Sequence, residues 1–479
     1  MSLLLLSSIV LPLLLLLLIF TKNRNKPYHN GHSLPPAPWP RLPVLGNLFF
    51  HPPTIASLGE VLRRLHAAHG PVVFLWVGSK PAIFITRHDI AHRALVSMGI
   101  TFAPSVMVLR TQQPWPHVTA GVLRSSVDGL VKNLESSAAG EHGGGVALSE
   151  TLRHDVFGFF ARLCFGEGVE EDMLRRLRGL HGEIMSLIVE LDAFHLMPVF
   201  LQLVFYFPRW RKLWGARRSH HVLVTAIISA RRRRREEGVG FGYETAEPRC
   251  YVDTLLGLGL GEDEMVSLCW EYMNAAVKTT TTVLEWIMAR LVLHQDLQQK
   301  LRNDIASRAS GGGGDHMMMM RGEQQQQQRP FVEAVVLEAL RLHPPVHYLL
   351  AHTTCKDVTL DKYGDTQGLH CELRPERFME GREGSGVHCC ATRGGGGGGG
   401  PEMMKMIPFG AGRRACPGAG VAVTVLQSFV EELVGRFEWF PVDGGVEASV
   451  DMTEKPGIII EMRVPLQARL VVRRNDCSL

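Results

Sequence analysis

No two of the nine cysteines stand as a C-x-x-C pair; they are scattered at 164, 250, 269, 355, 371, 389, 390, 416 and 477. An odd set without pairing excludes a disulfide framework and reads as a reducing compartment, with at most one cysteine in chemistry. Neither sign of charge prevails, with 51 lysines and arginines against 47 aspartates and glutamates, so nothing points to nucleic acid. No internal repeat is present. Hydrophobic residues make up 46%, which excludes a disordered chain. A length of 479 residues admits about three domains or one large fold.

The N-terminus is the first positive signal. Leu3 to Phe20 carries no charge and is dominated by leucine, and about 20 apolar residues suffice for a helix to cross a bilayer. A cleaved signal peptide is the alternative, but a basic n-region and a small-residue cleavage site are both missing. Lys22, Arg24 and Lys26 follow at once, which orients the body of the chain toward the cytosol. Residues 1–21 are therefore expected to be a single transmembrane anchor and 22–48 a basic, proline-rich hinge. The hinge includes the stiff stretch from Leu34 to Leu48.

In 49–479, a strand pair is expected at Val72–Val77 and Ala82–Thr86 around Gly78–Lys80, followed mainly by helices, including one over Val118–Leu134. Gly311–Gly314, Met317–Met320, Gln324–Gln328 and Gly394–Gly400 read as mobile surface insertions. Leu196–Pro208, with Arg209, Arg211, Lys212, Arg217 and Arg218 behind it, suits either a second membrane-surface element or a core helix with a solvated basic end. Arg231–Arg235 reads as a solvated helix end.

The strongest chemical signal is Phe409-Gly-Ala-Gly-Arg-Arg-Ala-Cys-Pro-Gly418. Glycines at 410, 412 and 418 let backbone approach a flat, bulky partner. Pro417 suits the first turn of a helix. Ala422, Leu426, Phe429, Val430, Leu433 and Phe437 then mark its buried stripe. Cys416 would sit at that helix N-terminus beside Arg413 and Arg414, where positive potential favours thiolate over thiol. Such a thiolate is what an axial iron ligand requires.

This loop resembles the F-x-x-G-x-R-x-C-x-G motif of the cytochromes P-450, with Phe409, Gly412, Arg414, Cys416 and Gly418 in place. Glu338-Ala-Leu-Arg341 resembles the family's E-x-x-R, and Pro375-Glu-Arg-Phe378 its P-E-R-F. The proline hinge is similar to that of plant microsomal members. Glu285–Ala289 and Val450–Pro456 look closest to family 89 of those enzymes. The resemblance implies a mainly α fold with a small β lobe, haem held through Cys416, and an ion network of Glu338, Arg341 and Arg377 behind the haem loop. It further implies monooxygenation of an apolar small molecule, with electrons from NADPH–cytochrome P-450 reductase, at the endoplasmic reticulum membrane.

Asp263–His294 resembles the long helix that crosses the haem's distal face. Against the family's A/G-G-x-D/E-T-T the chain has Ala275-Ala-Val-Lys-Thr-Thr280. Thr279 falls on the oxygen-activating threonine, followed by Thr280, while Ala276 replaces glycine and Lys278 replaces the acid. A cation cannot take a carboxylate's part in proton relay, so Lys278 is a departure with consequences. Two segments look shortened. Near 104–117 the family's W-x-x-x-R is absent, since Thr119 stands four beyond Trp115. Near 364–373 the D-P-x-x-W-x-x-P stretch is absent. His352 stands where many relatives carry a propionate-binding arginine. Two rival readings follow: a haem-thiolate isomerase or dehydratase independent of dioxygen, hinted at by Lys278, and a degenerate or truncated pseudoenzyme.

Overall fold

The computed structural model describes residues 55–77, 80–98, 116–140, 146–192, 199–237, 250–310, 330–349, 373–379, 382, 406–442, 450–455 and 457–473. The expected anchor and hinge, the four low-complexity runs, Trp115, His352 and 364–372 lie outside these residues. Among the described residues no helix is long and apolar enough to cross a membrane.

The chain divides into two compact units. The first takes in Met1–Ala91, Ser186–Leu213 and Leu360–Gln367. It holds helix α1 (Ile55–His69) and strands β1 (Val72–Val77) and β2 (Lys80–Ile85). The hairpin register runs from Val72 opposite Ile85 to Val77 opposite Lys80, so β2 starts two residues earlier than Ala82. Thr86, expected as strand, instead closes the open end: its amide and hydroxyl both reach Pro71 O, at 2.9 and 3.1 Å.

The second unit takes in His92–Met185, Trp214–Thr359 and Gly368–Leu479, and is mainly helical. Its elements include α2 (Pro116–Gly140), β3 (Val146–Ala147), α3 (Leu148–Phe165) and α6 (Tyr251–Gly257). Helices α7 (Glu262–Leu293), α8 (Gln295–Ser310), α9 (Phe331–Leu342) and α10 (Ala419–Arg436) follow. The strands are β4 (Phe437–Phe440), β5 (Glu454–Lys455), β6 (Glu461–Met462) and β7 (Gln467–Val472). Two further helices, α4 (Glu171–Asp192) and α5 (Val199–Glu236), contribute residues to both units. The helix expected over Val118–Leu134 is longer at both ends, from Pro116, which suits a first helical position, to Gly140.

Helix α7 shows why this sequence makes one long rod. Glu262, Asp263 and Glu264 occupy its first turn and Arg290 its last, each matching the helix dipole. The Glu264 side chain accepts the Gly261 amide at 3.1 Å, tying down the entry. At 32 residues the helix is about 48 Å long. From Thr280 to Ala289 every side chain is buried, so the rod forms the centre of the core. Helix α3 packs along it and α2 on α3, with Trp286, Phe159, Phe165 and Phe429 fully enclosed.

A polar knot joins α8 to the C-terminal strands. The fully buried Gln298 amide donates to Leu291 O and Trp439 O, at 3.1 and 3.0 Å, and its carbonyl accepts Trp439 N at 3.0 Å. β7 pairs antiparallel with both β4 and β3, placing Leu470 opposite Trp439 and Ala468 opposite Val146.

Of the two basic surface segments, the second departs from expectation. Helix α5 runs through Pro208 without ending, and on either side of it Phe207 is 60% and Trp214 70% exposed. The basic run at its far end is only partly solvated. Arg231 clamps Asp253 with two bonds, at 2.9 and 2.6 Å, and Arg234 donates to Gly168 O at 2.6 Å. The physical reason is Asp253, 3% exposed on α6, which needs a partner to remain charged inside the protein.

Candidate functional site

The cysteine loop is shaped by two left-handed glycines, Gly410 at φ 69° and Gly412 at φ 71°. Between them the chain reverses, and Cys416 N returns to Phe409 O at 2.8 Å. Gly412 is required twice over, because a Cβ built there would run into Leu95 O on the π-helical turn Arg93–Ser97. Gly418 is different: its φ is −91° and the nearest approach of a Cβ is 3.9 Å, to Cys416 Sγ. Helix α10 begins at Ala419 with Gly418 as its cap. Cys416 and Pro417 therefore precede the helix, instead of opening it. Leu426, Phe429, Val430 and Leu433 line its buried stripe as expected, whereas Phe437 is already strand and Ala422 is half-buried.

Cys416 is half-buried and in no disulfide. Cys164, Cys250 and Cys269 are enclosed. Burial holds the Cys164 thiol well above its ordinary range and pushes Cys250 up to about 12, which keeps both inert. Beside Cys416, Arg414 turns inward, and its buried Nε has no hydrogen-bond partner among the described residues, whereas Arg413 is exposed. A half-buried thiol on a glycine loop, with a buried guanidinium nitrogen awaiting an acceptor, fits a flat cofactor with an anionic edge.

The ion network expected around Glu338 is present. Glu338 on α9 is completely buried and accepts Arg341 through both oxygens, at 2.7 and 2.8 Å. Arg374 N adds a bond at 2.8 Å, and Arg377 Nε lies 3.5 Å from Oε2. Such a carboxylate is satisfied on every side, which is the condition for a buried charge to persist.

On α7, Thr279 donates its hydroxyl to Ala275 O at 2.6 Å, and Thr281 to Val277 O at 2.8 Å. Thr280 is buried and Ala276 packs half-buried against the core. Lys278, in the family acid's place, reaches Glu461 Oε2 on β6 at 3.2 Å. Arg153 of α3 lies 3.7 Å from the other oxygen of Glu461. Along the helix, Trp270 is flanked by His181 and His220, with ring centroids at 4.7 and 5.0 Å. Burial first, then neighbouring cations and imidazoles, push both histidines down to about 4.

Helix α7 packs on α10, the helix that the cysteine loop leads into, within the same unit. The place of His352 lies outside the described residues. Leu95, Arg153 and Glu461 had no sequence signal, because each acts through a neighbour far away along the chain.

A helical body with a cysteine on a left-handed glycine loop, backed by a buried E-x-x-R carboxylate, defines the haem-thiolate class. A sequence model of the cytochrome P-450 family matches residues 36–126, 120–371 and 372–463. The chain belongs to the cytochrome P-450 family. It is 29% identical to cytochrome P-450 89A9 of Arabidopsis thaliana, covering 94% of this chain and 95% of that protein. It is 26% identical to cytochrome P-450 98A2 of Glycine max, over 91% of each chain. With psoralen synthase of Ammi majus it shares 25% identity over 92% of each. Proteins of the family bind haem through a cysteine thiolate and act as monooxygenases on small molecules.

Proposed function

We propose that this chain is a membrane-anchored haem-thiolate monooxygenase that inserts one oxygen atom of dioxygen into an apolar small molecule. Cys416 would hold the haem iron through its thiolate, and Phe409, Gly412 and Gly418 would shape the loop around it. The observation that carries the reading is that a half-buried thiol and, two residues before it, an Arg414 Nε buried without a partner among the described residues lie on one glycine loop. Arg414 would take a haem propionate, with His352 as a second donor. Haem held there would supply the dioxygen chemistry, favoured by a thiolate ligand.

The chain's own work is placement and proton traffic. Thr279 keeps its hydroxyl oriented by Ala275 O, and its oxygen still has lone pairs to accept from water. Thr280 and Thr281 beside it are buried in the core. Electrons would come from NADPH through NADPH–cytochrome P-450 reductase. The charge-free N-terminal run would fix the protein in the endoplasmic reticulum membrane with its body in the cytosol. Exposed Phe207 and Trp214 among Arg209, Arg211, Lys212, Arg217 and Arg218 suit a second contact with the headgroup layer.

The test is the difference spectrum of the reduced protein with carbon monoxide. Wild type is expected to give the thiolate-type band and Cys416→Ala to lose it. Equal spectra, or ligation lost with another cysteine instead, would overturn the assignment.

A further inference from the structure

Lys278 and Glu461 come from distant parts of the chain, yet form a pair with side chains 33% and 18% exposed, so solvent screens their attraction only in part. Glu461 has little freedom to leave. Its strand is paired, with Lys455 opposite Glu461. The preceding residue is pinned at both polar groups: Ile460 O accepts Trp286 Nε1 at 2.8 Å, and Ile460 N donates to Pro345 O at 3.0 Å. The Arg153 guanidinium lies 3.7 Å from the second carboxylate oxygen and adds its charge there. The carboxylate is therefore set in advance, and the flexible lysine comes to it.

The residue after Lys278 is Thr279, whose hydroxyl proton is committed to Ala275 O but whose lone pairs are not. An ammonium carries three donors and no acceptor, so an unpaired Lys278 would take whatever oxygen its long stem can reach. We propose that Glu461 is a positioning residue for the monooxygenase reaction: it holds the Lys278 ammonium away from the threonine turn and leaves Thr279 to water. The charge order is inverted relative to A/G-G-x-D/E-T-T, with the cation on the helix and the carboxylate on a C-terminal strand. The inference rests on the monooxygenase reading. When proton delivery is disturbed, dioxygen departs as hydrogen peroxide with the two electrons of NADPH and two protons. Otherwise one oxygen atom enters the substrate and the other leaves as water.

Two measurements test it. The first counts product and peroxide per NADPH in haem-loaded protein. Glu461→Gln is expected to raise the peroxide share about threefold, the scale of a partly screened charge pair. The exchanged double variant, Lys278→Glu with Glu461→Lys, is expected to bring it back. The second is a thermal unfolding cycle over Lys278→Met, Glu461→Gln and both together, which needs no turnover and is expected to show coupling. Coupling in unfolding with an unchanged peroxide share would make the pair merely structural and overturn the proposal. Additive unfolding effects would overturn it too. If the wild type binds no thiolate-ligated haem, the monooxygenase reading fails and the positioning role with it. The unfolding cycle still reports the ion pair, so the two failures are distinguishable.

Discussion

The imidazole of His343 lies flat on the indole of Trp286, with ring centroids 4.1 Å apart and planes within 3°. Arg290 donates to its Nε2 from Nε and Nη2, at 3.0 and 2.9 Å, which assigns the ring proton to Nδ1. Burial, and after it the Arg290 charge, push this histidine down to about 4. The ring is thus kept neutral where α7 meets the end of α9.

His181, His220 and His343 share that behaviour, and the consequence is acid sensitivity. Their folded values of about 4 lie below the ordinary 6.5, so the unfolded chain takes up protons first as pH falls. Above 6.5 the three rings contribute no pH dependence. Between 6.5 and about 4 each is expected to remove stability progressively, up to about 3 kcal/mol per ring. Thermal midpoints recorded across this window should fall with pH. His220→Phe, which keeps an aromatic edge toward Trp270, should flatten the fall.

Arg231 carries a different prediction from its neighbours in the basic run. Removing it strands the buried Asp253 carboxylate, so Arg231→Ala is expected to cost about 3 kcal/mol in urea unfolding. Arg233→Ala, on the exposed part of the run, should stay within about 0.5 kcal/mol.

The glycines of the loop and of α10 should respond oppositely to alanine. Gly412→Ala must displace either the cysteine loop or the Leu95 backbone, and a lower haem content per chain after purification is expected. Gly435→Ala meets nothing within 4 Å inside a helix, and should raise the thermal midpoint slightly with haem content unchanged.

The cysteine loop and its helix were legible because glycine, proline and apolar period all act locally. The Glu338 network was legible only through resemblance, since nothing local says that Arg374 N and Arg377 will converge on one carboxylate. The clamp of Arg231 on Asp253 was misread as a solvated end because a run of like charges carries no record of the buried acid opposite it. Lys278 was recognised as a departure, but its partner Glu461 was invisible: two charges meet there only after β6 has been laid across the helical core. Helix starts shifted for an ordinary reason, as at Ala419, where Pro417 and Gly418 are spent on a turn first.

The knot of Gln298 with Trp439, and the pairing of Val146 with Ala468, set an order of events during synthesis. A chain still on the ribosome has made α8 and β3 long before Trp439 and Ala468 emerge from the exit tunnel. Until then the carboxamide of Gln298 faces a missing partner, and Val146 has no strand to join. The second unit consequently cannot close its core piecemeal from the N-terminus, and its final packing waits until Trp439 and Ala468 have emerged.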